Sequence, residues 1–239
     1  MKGFCIALQF LTRIPLPHCR DHDPDHISRS VLFYPLVGLV IGLLLAALAV
    51  LLINTPTGVA AALLLTLWVG LTGALHLDGL ADCIDAWVGG WGDQSRTIRI
   101  MKDPTSGPMA VCALILTLLL KWTALTAILD KQLFGYLLLV PVLGRTAMMS
   151  LMLSTPYVSS QGLGEALLRH LPTGLAWQIV SASTLLLAWG LGVLPIIASL
   201  IVIVGVRYAA MQRLGGVTGD VYGAALELSE TTALLVTVV

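Results

Sequence analysis

Runs of about 20 apolar residues recur along this chain, near positions 31–53, 57–75, 108–128 and 133–153, each long enough to cross hydrocarbon as an α-helix. Two more lie near 174–191 and 193–211, parted by Gly190, Gly192 and Pro195, and a shorter one follows Val221. None shows sustained period-two alternation, and a transmembrane barrel would need many segments of about ten residues, so strands are excluded. Composition agrees, with 57% hydrophobic and 11% charged residues and a mean hydropathy of +0.93. The expected fold is all-α, a polytopic membrane bundle of about seven helices forming one integral membrane domain over 1–239. No internal repeat or low-complexity tract is evident.

The N-terminal stretch MKGFCIALQFLTRIPLP has a basic start, but Arg13 interrupts it and no small-residue cleavage site follows, which excludes a cleaved signal peptide. Residues 1–30 read instead as an interfacial amphipathic segment leading into the first span. Cys5, Cys19, Cys83 and Cys112 show no CxxC pairing and read as thiols in a reducing compartment. Basic residues fix the orientation. With seven spans, Lys2, Arg13, Arg20, Arg29, Arg96, Arg99, Lys102, Arg169, Arg207 and Arg213 share one side and only Lys131 lies on the other. The rule that Lys and Arg concentrate in cytoplasmic loops then puts the N-terminus, the 76–107 segment and GGVTGDVYG on the cytoplasmic face.

That face carries the chemistry. Asp78, Asp82 and Asp85 are spaced i, i+4, i+7, within about 60° of one another on a helix. Three carboxylates so placed repel unless a cation sits among them. Oxygen ligands without cysteine or neighbouring histidine favour a hard ion, Mg²⁺ or Mn²⁺, which keeps waters and takes substrate phosphates as further ligands. The alternative is a solvated acidic helix end, disfavoured because the acidic face continues an apolar helix, where ionisable groups are costly. His76 projects to nearly the opposite side. Gly79, Ala81, Gly89 and Gly90 keep the segment slim enough for a ligand or another backbone to approach.

Downstream, Arg96, Arg99 and Lys102 form a cationic stripe at a spacing of three that ends in Asp103, suited to pyrophosphate oxygens as well as to the topology signal. The turn Thr218-Gly219-Asp220 precedes the last apolar helix, where free backbone N–H groups bind anions or simply close a loop. Glu227 and Glu230 continue acidic groups along that helix. Lys121 and Arg145, inside apolar runs, are their available partners, either for packing or for contact with a polar substrate. His18, His22 and His26 are spaced by four, but Pro24 breaks the helix that would align them.

The chain resembles the cobalamin synthase (adenosylcobinamide-GDP ribazoletransferase) family. The resemblance rests on FLTRIPLP at 10–17, FYPLVG at 33–38, HLDGLADCIDA at 76–86, IMKD at 100–103, GR at 144–145 and GGVTGDVYGAALELSE at 215–230. It departs from the family pattern over Pro104–Met109, where only Gly107 fits. What the resemblance implies is a Mg²⁺-dependent enzyme of the bacterial inner membrane, in the late pathway of cobalamin assembly, that joins adenosylcobinamide-GDP to α-ribazole or its 5′-phosphate and releases GMP. On that reading Asp78, Asp82, Asp85 and Asp103 hold the metal, and Asp82 or Asp85 doubles as general base. Arg99 and Lys102 steady the leaving GMP. Arg13, Arg145 and the Thr218-Gly219-Asp220 turn orient the substrates, with Lys121 and Glu227 as further polar contacts. Partners are these substrates, the lipid bilayer and other late-pathway enzymes; no nucleic acid is expected. A transporter of a corrinoid or cation would use Lys121 and Arg145 in a pathway, but inverted repeats are lacking. A phosphotransferase for another nucleotide-activated alcohol would share the carboxylates and differ in its pocket.

Overall fold

A left-handed elbow gives the fold its most consequential turn. Helix α4 (Thr57–Thr72) ends at Gly73, with φ +60°, and Ala74 follows at φ +58°. Two successive residues in this region reverse the helical path, and α5 (Leu75–Gly89) leaves at 86° to α4. A Cβ on Gly73 would lie 2.6 Å from Cγ of Arg13, so the position suits glycine in both conformation and space. The computed structural model describes residues 2–15, 23–159 and 163–239.

Around that elbow the chain runs α1 (Lys2–Leu11), α2 (Pro24–Ser30), a 3-10 turn, α3 (Tyr34–Leu51), α4, α5, α6 (Gln94–Met101), α7 (Pro108–Asp130), α8 (Phe134–Ser154), α9 (Leu163–Arg169), α10 (Thr173–Leu191), α11 (Val193–Leu214) and α12 (Gly219–Val238). Among the described residues no β-strand forms beyond one isolated bridge between Tyr157 and Val217. Six continuous helical segments are long and apolar enough to cross a membrane, the first being Pro24–Leu51, and the bent pair α4–α5 makes a seventh. The apolar helices mark a multi-pass membrane protein and fall where the apolar runs place them, except that the 57–75 run breaks at Gly73, leaving a 16-residue helix that is long enough only together with α5.

Burial separates centre from rim. Within an 18-residue apolar stretch of each helix, 67% of residues are buried in α8 and in α12, against 22% in α10 and in α11. The rim helices turn large apolar side chains outward, among them Leu185, Trp189 and Ile201, as a lipid-facing surface requires. Helix α3 packs along α8, and α12 packs against α5, α7, α8 and α11.

The central helices also bury charge. Lys121 of α7 donates to Glu227 at 2.6 Å and to Glu230 at 3.1 Å, and Arg145 of α8 pairs with Glu230. None of these four side chains is more than 6% exposed, and Lys121 lies 4.6 Å from the centre of the Trp68 ring. Two cations face two anions, so three helices exchange charge without net cost in sign. At the far end Lys131 donates to the carbonyl of Val238 at 2.8 Å. At the opposite end lie α6, α9 and the start of α12, with Arg96, Arg99, Lys102, Arg169 and Arg213 on or beside them.

One thiol expectation changes. Cys5 is disulfide-bonded, whereas Cys83 and Cys112 are free. Cys19, like His18 and His22, lies outside the described residues; His26 is within 3.4 Å of Asp23.

Candidate active site

Close backbone approach builds the acidic cluster. Gly79 of α5 sits against the first turn of α12, where a Cβ would lie 2.7 Å from the carbonyl oxygen of Asp220 and 2.9 Å from its Cα. Any larger residue would hold the helices apart. The crossing brings Asp220 beside the α5 carboxylates, so Asp82 has Asp78, Asp220 and Asp85 as its charged neighbours. Asp78 is exposed, and Asp82, Asp85 and Asp220 are half-buried. No ion pair involves Asp78, Asp82, Asp85, Asp103 or Asp220 among the described residues.

The members differ in what they already hold. Asp85 accepts hydrogen bonds from the backbone N–H of Gly107 and, at 2.9 Å, of Ala110. It thereby caps the N-terminus of α7 from another helix, satisfying donors with no intrahelical partner. Asp103 turns toward its own loop, accepting from the Thr105 hydroxyl at 2.5 Å and the Thr105 amide at 3.0 Å. Those two hydrogen bonds, the hydroxyl first, hold its carboxyl below the usual range. Asp93 is lowered in the same manner by the Ser95 hydroxyl and then the Arg96 amide, as it caps α6. Asp78 and Asp82 accept no hydrogen bond from any described residue. Asp220 accepts from Thr218 Oγ1 at 3.3 Å, and Thr218 also caps α12.

Two cavities flank this cluster. The smaller, about 280 Å³, lies between the end of α5 and the 103–109 loop and is lined by Asp85, Asp103, Thr105 and Gly107. The larger, about 500 Å³, has Asp78, Lys102, Thr218, Gly219 and Asp220 in its wall. His76 also lines it, only 3% exposed, although its helical position points away from the aspartates. Tyr34 and Tyr222 join it there; both lie in stretches that carry the family resemblance, FYPLVG and GGVTGDVYGAALELSE, but neither is among the site residues expected from sequence.

Other expected contacts lie elsewhere. Arg99 is exposed and lines neither cavity. Arg13 is exposed on the α4–α5 elbow, against Gly73, with its amide donating to Leu71 at 2.7 Å. Lys121, Arg145 and Glu227 are spent on one another and on Glu230 inside the bundle.

No three His, Cys, Asp or Glu side chains among the described residues converge tightly enough to ligate one ion. The donor chemistry still fits Mg²⁺, because the available groups are carboxylates without cationic partners. Mg²⁺ takes only one or two protein carboxylates and fills its remaining positions with water and substrate phosphate.

Comparison with known proteins places this arrangement. Residues 3–238 match the family described as cobalamin-5-phosphate synthase. An adenosylcobinamide-GDP ribazoletransferase of Ectopseudomonas mendocina (strain ymp) is 53% identical over 233 residues, 96% of each chain. Proteins of the same name from Pseudomonas fluorescens (strain Pf0-1) and Pseudomonas putida (strain W619) are 49% and 50% identical, covering 98% of each chain. No solved structure matches the chain significantly. With alignment running through every element from α1 to α12, this chain belongs to the cobalamin-5-phosphate synthase family.

Proposed function

We propose that the protein transfers the adenosylcobinamide phosphate moiety of adenosylcobinamide-GDP to α-ribazole or its 5′-phosphate, releasing GMP, with Mg²⁺ at the cytoplasmic face of the bacterial inner membrane. The observation that supports this reading best is the group Asp78, Asp82 and Asp220, with no ion-pair partner among the described residues, of which Asp78 and Asp220 line a cavity that Lys102 also lines. Such a group calls for a hard cation together with a polyanionic substrate.

One or two of Asp78, Asp82 and Asp220 would hold Mg²⁺, water and substrate phosphate filling its other positions, with Asp103 across the smaller cavity. When bound, the ion neutralises charge on the diphosphate. Arg99 on α6 and Lys102 just past its end would supply positive charge for the leaving nucleotide. In the transfer the acceptor's ribose oxygen bonds to the phosphorus bearing cobinamide. The bond from that phosphorus to the bridging oxygen breaks, and the oxygen leaves with GMP. The hydroxyl proton passes to a carboxylate, which we assign to Asp82, because the oxygens of Asp85 are taken by the α7 backbone. Other late-pathway enzymes of the same membrane would deliver the donor and take the product.

GMP release by purified protein is the test, with adenosylcobinamide-GDP present, α-ribazole 5′-phosphate added or omitted, and Mg²⁺ or EDTA. GMP is expected only when acceptor and metal are both present. Release with EDTA would remove the metal assignment, and corrinoid uptake into vesicles without GMP would support a transporter instead.

A further inference from the structure

Tyr34, Tyr222 and His76 line the larger cavity, and the buried hydroxyls of the two tyrosines and Nε2 of the histidine have no hydrogen-bond partner among the described residues. Their residues are 1%, 5% and 3% exposed. They come from α3, α12 and α5, so three helices each bring a residue with an unsatisfied group to the wall of one space. Burying such groups without partners is costly, and a protein that keeps three together has a ligand to supply them.

The remaining wall describes that ligand. Phe10 stacks beside Tyr34, centroids 6.4 Å apart at 20°, and Tyr157 beside Tyr222, 6.1 Å apart at 18°. Met148 and Met152 add polarizable apolar surface. A flat, largely apolar ring system with a few polar atoms matches this lining. About 500 Å³ admits a nucleoside-sized group.

Resting on the transferase reading above, we propose that this cavity is the subsite for the acceptor: the benzimidazole base of α-ribazole lies among Tyr34, His76, Tyr157 and Tyr222, and its ribose faces Asp78 and Asp220 at the wall. The base carries one unsubstituted ring nitrogen, an acceptor for a phenolic hydroxyl. His76 Nε2 and the second hydroxyl meet the ribose hydroxyls. The donor's corrinoid stays outside, and only its diphosphate approaches the carboxylates.

Steady-state kinetics of GMP release on wild type, Tyr34→Phe and Tyr222→Phe, varying donor and acceptor separately, test this assignment, with thermal unfolding of each substrate-free protein alongside. Each variant is expected to raise KM for α-ribazole 5′-phosphate about tenfold, the worth of one hydrogen bond, without raising KM for adenosylcobinamide-GDP. Substrate-free Tm should hold or rise, because the lost hydroxyl had no protein partner. An unchanged acceptor KM in an active enzyme, a rise in the donor KM alone, or a fall in Tm would each overturn the subsite. If wild type releases no GMP, the transferase reading fails and the subsite falls with it, whereas the other failures leave that reading standing.

Discussion

Two aspartates three positions apart on α5 have different employment. Asp85 joins α5 to the first turn of α7 through Gly107 and Ala110, whereas the carboxylate of Asp82 meets only other carboxylates. Asp85→Ala removes a helix cap and should lower stability by about 1 kcal/mol, read as a lower Tm. Asp82→Asn should leave Tm unchanged and abolish GMP release. An active, Mg²⁺-dependent Asp82→Asn enzyme would sink the base assignment. The i, i+4, i+7 spacing puts the three aspartates on one face and cannot tell these roles apart, because the difference comes from a loop 22 residues downstream.

At the scale of elements, the site depends on how closely α5 and α12 cross. Gly79 permits that contact, and Asp220 reaches the α5 carboxylates because of it. Gly79→Val should push the helices apart without unwinding them. We expect a loss of activity of about a hundredfold, since small misplacements at a reacting centre carry such penalties, with helix content by circular dichroism retained. Activity within a few-fold of wild type would mean that the crossing does not position the cluster. The elbow at Gly73 and Ala74 acts on the same geometry from the other end of α5, by directing it across the start of α12 instead of onward along α4.

For the whole molecule, the Lys121, Arg145, Glu227 and Glu230 network ties α7, α8 and α12 in the interior. Each of its four charges has an opposite charge beside it, and a buried charge left without one costs far more than the pair gains. Lys121→Met leaves two glutamates with Arg145 alone and should destabilise the protein by roughly 3–5 kcal/mol. Lys121→Met combined with Glu227→Leu should recover much of that Tm loss. A single variant as stable as wild type would show that the network is solvated or idle.

The sequence by itself determined the membrane class, the place of most apolar helices and the acidic face of α5. These follow from local length, periodicity and charge, which any bilayer would sort in the same way. Tertiary structure alone decided which residues share the site. It brought Asp220 to Asp78 and Asp82, gave Asp85 to α7, and kept Lys121, Arg145 and Glu227 for the interior. It also turned His76 into a cavity with Tyr34 and Tyr222. Helical periodicity assigns a side chain to a face, but which neighbour covers that face is set by backbone contact between helices far apart in the chain.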